Sequence, residues 1–213
     1  MNESGEYLQP TYTIDSENSE IIKTARELTA DCSRDQEKAV QLFYFVRDEI
    51  RYNLYMSSTF EEDFIASRIL QWKKGYCVQK AVLLAALGRA AGIPGRLAFA
   101  KIRNHRVPGK IVEVLGDNVF PFHGYNQFLL DGKWISVAAT FDRKLCEKND
   151  LRLVEFNGED DAVLPDTDLK GRPFIEYLEK YEPQSDLPFQ LIYEEITGFV
   201  GEKRPWLTGS EPY

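Results

Sequence analysis

Gly75-Tyr76-Cys77-Val78-Gln79-Lys80-Ala81-Val82-Leu83-Leu84-Ala85-Ala86-Leu87-Gly88-Arg89-Ala90-Ala91-Gly92-Ile93-Pro94 is the stretch on which the fold turns. From Val78 to Ala91 there is little polar surface. A helix that is apolar almost all round belongs in the middle of a fold, packed on every side. Gly92 and Pro94 supply its stop. Leu97, Phe99 and Ile102 beyond them predict a strand. Cys77 stands at the mouth of this helix, where unpaired N–H groups and the positive end of the dipole favour a thiolate. Lys73 and Lys74 would add to the positive potential, and the same N–H groups suit a developing oxyanion. On position alone, Cys77 reads equally well as a small, inert, buried residue.

Upstream, the pattern predicts a helix over about Glu20–Ala30. Ser33 and Gln36 are spaced as a capping box that opens a second helix running to about Glu49. Its apolar stripe is Ala39, Val40, Leu42, Phe43 and Val46. Phe64–Trp72 is a shorter helical candidate. Residues 1–17 read as a loose arm or an edge strand. Downstream, Leu130-Asp131-Gly132-Lys133 is a two-residue hairpin turn between strand-like runs, so that opposed residues sum to 263 over 123–142. One face of that hairpin, with Phe128, Leu130, Ile135, Val137 and Phe141, is a core face. The other carries His123, Tyr125, Gln127, Trp134, Ser136, Ala138, Thr140 and Asp142, a mixture suited to lining a cleft. Past Leu151 the pattern weakens, and Phe174–Tyr181 and Phe189–Phe199 are read as short helices.

Composition sets the class. The 213 residues are 43% hydrophobic and 28% charged, as expected of one globular domain. We read that domain as residues 1–213, with a core over about 20–145 and an extension over about 146–213. The formal charge is -8, a poor match to a phosphate backbone or an anionic bilayer, so neither nucleic acid nor membrane is expected as a partner. The longest apolar run, Ala81–Leu87, is too short to span a bilayer. The acidic, polar N-terminus lacks a signal region, and three cysteines make no disulfide framework. The expected setting is therefore cytoplasmic. No metal or cofactor is expected either. Two histidines and three dispersed cysteines give no zinc pattern, Gly158-Glu159-Asp160-Asp161 lacks the spacing of a calcium loop, and no glycine-rich phosphate loop follows a strand.

A nucleophilic thiol needs a base. His105 lies in the basic loop Arg103–Gly109, where a histidine is ordinarily just solvated, whereas His123 opens the polar face of the hairpin. Placement favours His123. The third member of such a site orients the imidazole. In the 263 register His123 opposes Thr140, with Ala138 and Asp142 on the diagonals, roughly 7 Å away. Asp142 alone of these carries a carboxylate. A strand-end aspartate in a turn is an equally good reading, and a one-residue slip would remove Asp142 from that face. Cys32 and Cys146 read as structural.

The run Gly75–Arg96, with its cysteine, small-residue helix and Gly92-Ile93-Pro94-Gly95-Arg96 exit, resembles the catalytic-cysteine segment of the transglutaminase-like superfamily. Phe45-Val46-Arg47-Asp48-Glu49-Ile50-Arg51-Tyr52 resembles the preceding helix of microbial members. His123-Gly124-Tyr125-Asn126-Gln127 through Trp134 resembles the histidine strand and its turn. The resemblance is strong over about residues 35–145. It implies a papain-like α+β fold in which a central helix bearing Cys77 packs on an antiparallel sheet bearing histidine and aspartate. It further implies a cysteine-dependent acyl-transfer enzyme, hydrolase or acyltransferase, acting through a thioester on a peptide, an amide or an acyl-carrier substrate. Cys77 would be nucleophile, His123 general base and acid, and Asp142 the orienter. One departure stands out. Where the family places its aspartate, this chain has Ala138, which either moves the role to Asp142 or leaves an incomplete triad. The alternative reading is a binding or scaffold protein that keeps the fold without turnover.

Overall fold

The computed structural model describes residues 5–109, 112–113 and 116–200. Its centre is α4, Cys77–Ala90, twelve of whose 14 residues are buried. Three helices surround it: α1 (Ser19–Leu28), α2 (Asp35–Glu49) and α3 (Ala66–Trp72). On the remaining side lies one antiparallel sheet in the order β5-β4-β3-β6. Its strands are β3 (Gly95–Asn104), β4 (Val119–Leu130), β5 (Lys133–Val137) and β6 (Ile175–Lys180). A short parallel pair, β1 (Arg51–Tyr52) and β2 (Lys74–Gly75), frames the start of α4. Two further helices are α5 (Arg143–Lys148) and α6 (Phe189–Val200). The architecture is the expected α+β one, with helices on one face of an antiparallel sheet.

The hairpin forms as its sequence predicts. Asp131 and Gly132 both take positive φ (48° and 75°), the conformation of the tight turn that joins twisted strands. Leu130 pairs with Lys133, Phe128 with Ile135 and Asn126 with Val137, all in the 263 register. Pairing then stops. Beyond Val137 the chain bends, so that the Ala138 N–H donates to Ala162. The N-terminal half of β4 runs along β3 instead, with His123 opposite Ala100. The expected juxtaposition of His123 with Thr140, and of its diagonals with Ala138 and Asp142, is therefore not formed.

Three other local readings are corrected. Ile175–Lys180 is a strand rather than a helix, paired to β3 through Ile102↔Tyr177 and Asn104↔Ile175. The N-terminal arm is neither loose nor a strand. It makes a 3-10 turn at Glu6–Leu8 and is anchored by Thr11 and Thr13, whose hydroxyls both donate to Asp186 at 2.7 Å. Glu37, not Gln36, caps α2, accepting the N–H groups of Ser33 (2.9 Å) and Arg34 (3.2 Å). Gln36 turns inward and donates to Asp131 in the hairpin turn.

Buried polar side chains knit the layers. Arg89, near the end of α4, donates to the carbonyls of Gly95, Gln9 and Ser185. Arg47 on α2 is 1% exposed. It pairs with Asp48 at 2.6 Å and donates to Val154 O at 2.6 Å. Removing one partner from such a buried charge costs more than the pair contributes, which fixes these helices in place. No helix among the described residues is long and apolar enough to cross a membrane.

Candidate active site

The N-terminus of α4 is held from both sides. Gln79 accepts the Tyr76 N–H through Oε1 (3.2 Å) and donates through Nε2 to Asp63 O (2.8 Å). Asn126 on β4 donates to Ala81 O at 2.9 Å. Between these ties the helix start and β4 come into contact at Gly124. A Cβ built there would lie 2.9 Å from Val78 Cα, closer than real side chains approach. The missing side chain lets β4 lie directly on the helix start, and the N–H groups of Gly124, Val78 and Cys77 itself act to favour the thiolate. Cys77 and His123 each stand one residue from this contact between Val78 and Gly124, and no hydrogen bond links their side chains among the described residues.

Electrostatics at Cys77 differ from the expectation drawn from helix position. Burial pushes its thiol up to about 11, outweighing the three backbone N–H groups and the Lys80 charge, which pull it down. The residue keeps some accessible surface, but dense packing around the sulfur decides the balance. The cation that bears on it is Lys80, one turn along α4, rather than Lys73, whose ammonium sits over the Phe45 ring at 4.9 Å. His123 is 2% exposed, and burial lowers its imidazole to about 3. At neutral pH the resting thiol and the resting imidazole are both neutral.

The ring of His123 stacks on Tyr125 (centroids 6.0 Å, 16° between planes) and meets Tyr177 of β6 edge-on (6.1 Å, 68°). Its Nε2 is buried with no hydrogen-bond partner among the described residues, and so is the Tyr76 hydroxyl. Asp142 is placed elsewhere. Its Oδ2 accepts the Tyr52 N–H (2.8 Å) and its Oδ1 the Leu145 N–H (3.0 Å), as the N-cap of α5. Its negative charge bears on Lys80. The structure does not bring Asp142 to the imidazole by any hydrogen bond.

Sequence reading missed Lys80. Its ammonium is 1% exposed and donates to Arg47 O (3.0 Å) and Ile50 O (2.7 Å), the carbonyl end of α2. Burial lowers it to about 7. The adjacent polar pair Gln79-Lys80 inside an otherwise apolar helix was the available signal. Tyr177 escaped notice because its segment was read as helix. His105 lies on the surface, 3.4 Å from Glu176. Cys32 and Cys146 are unbridged, Cys146 being buried. In the acidic turn, Asp161 accepts the Ser136 N–H at 2.7 Å and so pins β5 rather than being merely solvated. Among the described residues no group of three or more His, Cys, Asp or Glu side chains could hold a metal ion.

A buried helix presenting a cysteine to a histidine-bearing strand defines a papain-like fold with a thiol at its centre. The sequence pattern of the transglutaminase-like superfamily matches residues 22–139, more than half of the chain, and the protein belongs to that superfamily. Among solved structures it is similar to a Cytophaga hutchinsonii protein described as a candidate cysteine protease. The TM-score is 0.52 at 16% identity, over 86% of this chain and 55% of that one. The periplasmic domain of TgpA from Pseudomonas aeruginosa also matches, with TM-score 0.46 and 21% identity, over 62% of this chain and 45% of that one. This chain thus spans about half the length of these neighbours. No curated protein matches it.

Proposed function

We propose that the protein is a cysteine-dependent acyl-transfer enzyme. Cys77 is its nucleophile and His123 its general base and acid. The observation that carries this reading is the close packing of Gly124 on Val78, which sets the helix start bearing Cys77 against the strand bearing His123.

With both groups neutral at rest, His123 takes the thiol proton as sulfur attacks, rather than before. The S–C bond forms, and negative charge moves to the carbonyl oxygen, stabilised by the N–H groups at the start of α4. Collapse breaks the C–N or C–O bond, and His123 returns its proton to the leaving group. Water or an amine then attacks the thioester. It gives a proton to His123, which passes it to the departing thiol. Suitable donors are peptides, amides and carrier-bound acyl groups, and hydrolysis and transfer share this cycle. In this reading Asp142 serves as the cap of α5 and the anion facing Lys80, and no side chain among the described residues hydrogen-bonds the imidazole Nε2.

Incubation with cell extract followed by intact-mass measurement tests the reading. An acyl adduct should map to Cys77 and be absent from Cys77→Ala. The unpartnered His123 Nε2 and the raised thiol favour a second reading, a binding protein without turnover. Absence of any adduct on the wild-type Cys77 would support it.

A further inference from the structure

We propose that the pocket on the far side of Tyr177 is a substrate subsite that holds a long basic side chain, lysine or arginine, of a peptide. It rests on the thioester reading only for the chemistry next door. The pocket has a volume of about 460 Å³, within the range of ligand sites. Its wall is apolar, formed by Val163, Leu164, Pro173, Ile175 and the Tyr177 ring. Its lip carries Asp166 and Glu176, with His105 beside them.

Tyr177 links this pocket to the thiol. Its ring meets His123 at 6.1 Å, its phenol oxygen accepts the Leu164 N–H of the pocket wall at 3.2 Å, and charge on Cys77 bears on it. A group in the pocket therefore lies one aromatic ring from the imidazole. The lining selects the occupant. Apolar walls suit a stem of methylenes, and carboxylates at the mouth suit a terminal cation. Glu176 is already shared by Arg103 (2.8 Å) and His105 (3.4 Å). Asp166 has the Thr167 hydroxyl at 3.4 Å and no ion pair among the described residues. Its backbone is fixed by the bond from Phe174 N–H (2.7 Å), so its carboxylate is the open acceptor. The net charge of -8 draws basic peptides toward the molecule.

Calorimetric titration of Cys77→Ala with hexapeptides tests the pocket apart from the chemistry. The peptides differ only in carrying lysine, norleucine or glutamate at one position, scanned along the chain. At one position lysine should bind about ten-fold more tightly than norleucine, and glutamate more weakly than either. Asp166→Asn should remove most of the lysine advantage, and Val163→Trp, which fills the pocket, should weaken lysine and norleucine alike. Equal affinities at every position, or a lysine preference untouched by both variants, would overturn the proposal. Peptidyl chloromethyl ketones on the wild type then report separately on the thiol. Lysine probes that label Cys77 fastest tie the pocket to the nucleophile. Binding without any labelling counts against the thioester reading while leaving the pocket intact.

Discussion

Gly124 on β4 lies directly against Val78 at the start of α4, and it can do this because nothing projects from its α-carbon. A methyl group there would meet Val78 Cα at 2.9 Å, and backbone on both sides leaves no flexible side chain to give way. Gly124→Ala should therefore push β4 off the helix start. We expect a loss of about 1–3 kcal/mol in stability and at least a ten-fold loss in turnover, read by thermal melting and by thioester formation on Cys77. Unchanged values for both would mean that the junction is looser than the structure shows.

Iodoacetamide labelling of Cys77 should climb with pH through the alkaline range, because burial holds the thiol near 11. Site-resolved mass spectrometry separates it from Cys32 and Cys146. A labelling midpoint below pH 8 would mean that the thiolate forms at rest, contrary to the neutral pair described above.

Stability should fall with acid in a window set by His123. Its folded value is lowered to about 3 from about 6.5, so between those values the unfolded chain binds more protons than the folded one. The contribution is complete above pH 6.5 and is lost as pH falls toward 3, at about 1.4 kcal/mol per unit across that window. His123→Gln should flatten the slope of unfolding free energy against pH from 6.5 to 4. A slope identical to wild type would show that another group governs acid sensitivity.

Lys80 acts in a different window. Its folded value is lowered to about 7 from 10.5, so its contribution is complete above 10.5 and lost as pH drops through 7. Denaturant melts of Lys80→Met should show less gain in stability than wild type between pH 7 and 10. Loss of its bonds to Arg47 O and Ile50 O should lower stability most at alkaline pH, where the wild-type lysine is neutral, and least below pH 7.

Asp142→Ala should destabilise by about 1–2 kcal/mol, since it removes the cap of α5 and the acceptor of the Tyr52 N–H. Asp142→Asn keeps one acceptor oxygen for the cap of α5 but sets an amide NH2 against the Tyr52 N–H, so it should recover only part of that loss. Turnover per folded molecule should keep the wild-type pH profile in Asp142→Asn. A shifted profile would assign Asp142 a part in orienting the imidazole.

Much of this was legible in the chain because it is local. The apolar run ending at Gly92 and Pro94 is α4, and Asp131-Gly132 set the hairpin register to the residue. What was not legible depends on distant segments. The hairpin pairing ends at Val137 because Ala162 captures the Ala138 N–H, a partner that the hairpin sequence does not announce. Ile175-Glu176-Tyr177 alternates as a strand, but its neighbour is β3, seventy-odd positions earlier. The electrostatic balance at the thiol was not legible for a related reason. Helix position favours the charged form and burial opposes it, and the depth of burial depends on every element packed around α4.

The surroundings of Cys77 are drawn from Asp63, from its own helix and from Gly124 and Asn126, separated by long intervals of chain. No contiguous fragment contains them all in a short span, and each must be brought in against the entropy of closing a loop. Such a centre assembles late. During refolding, recovery of chemical competence should trail the return of helical signal, and a half-built intermediate would carry a sulfur with no histidine beside it.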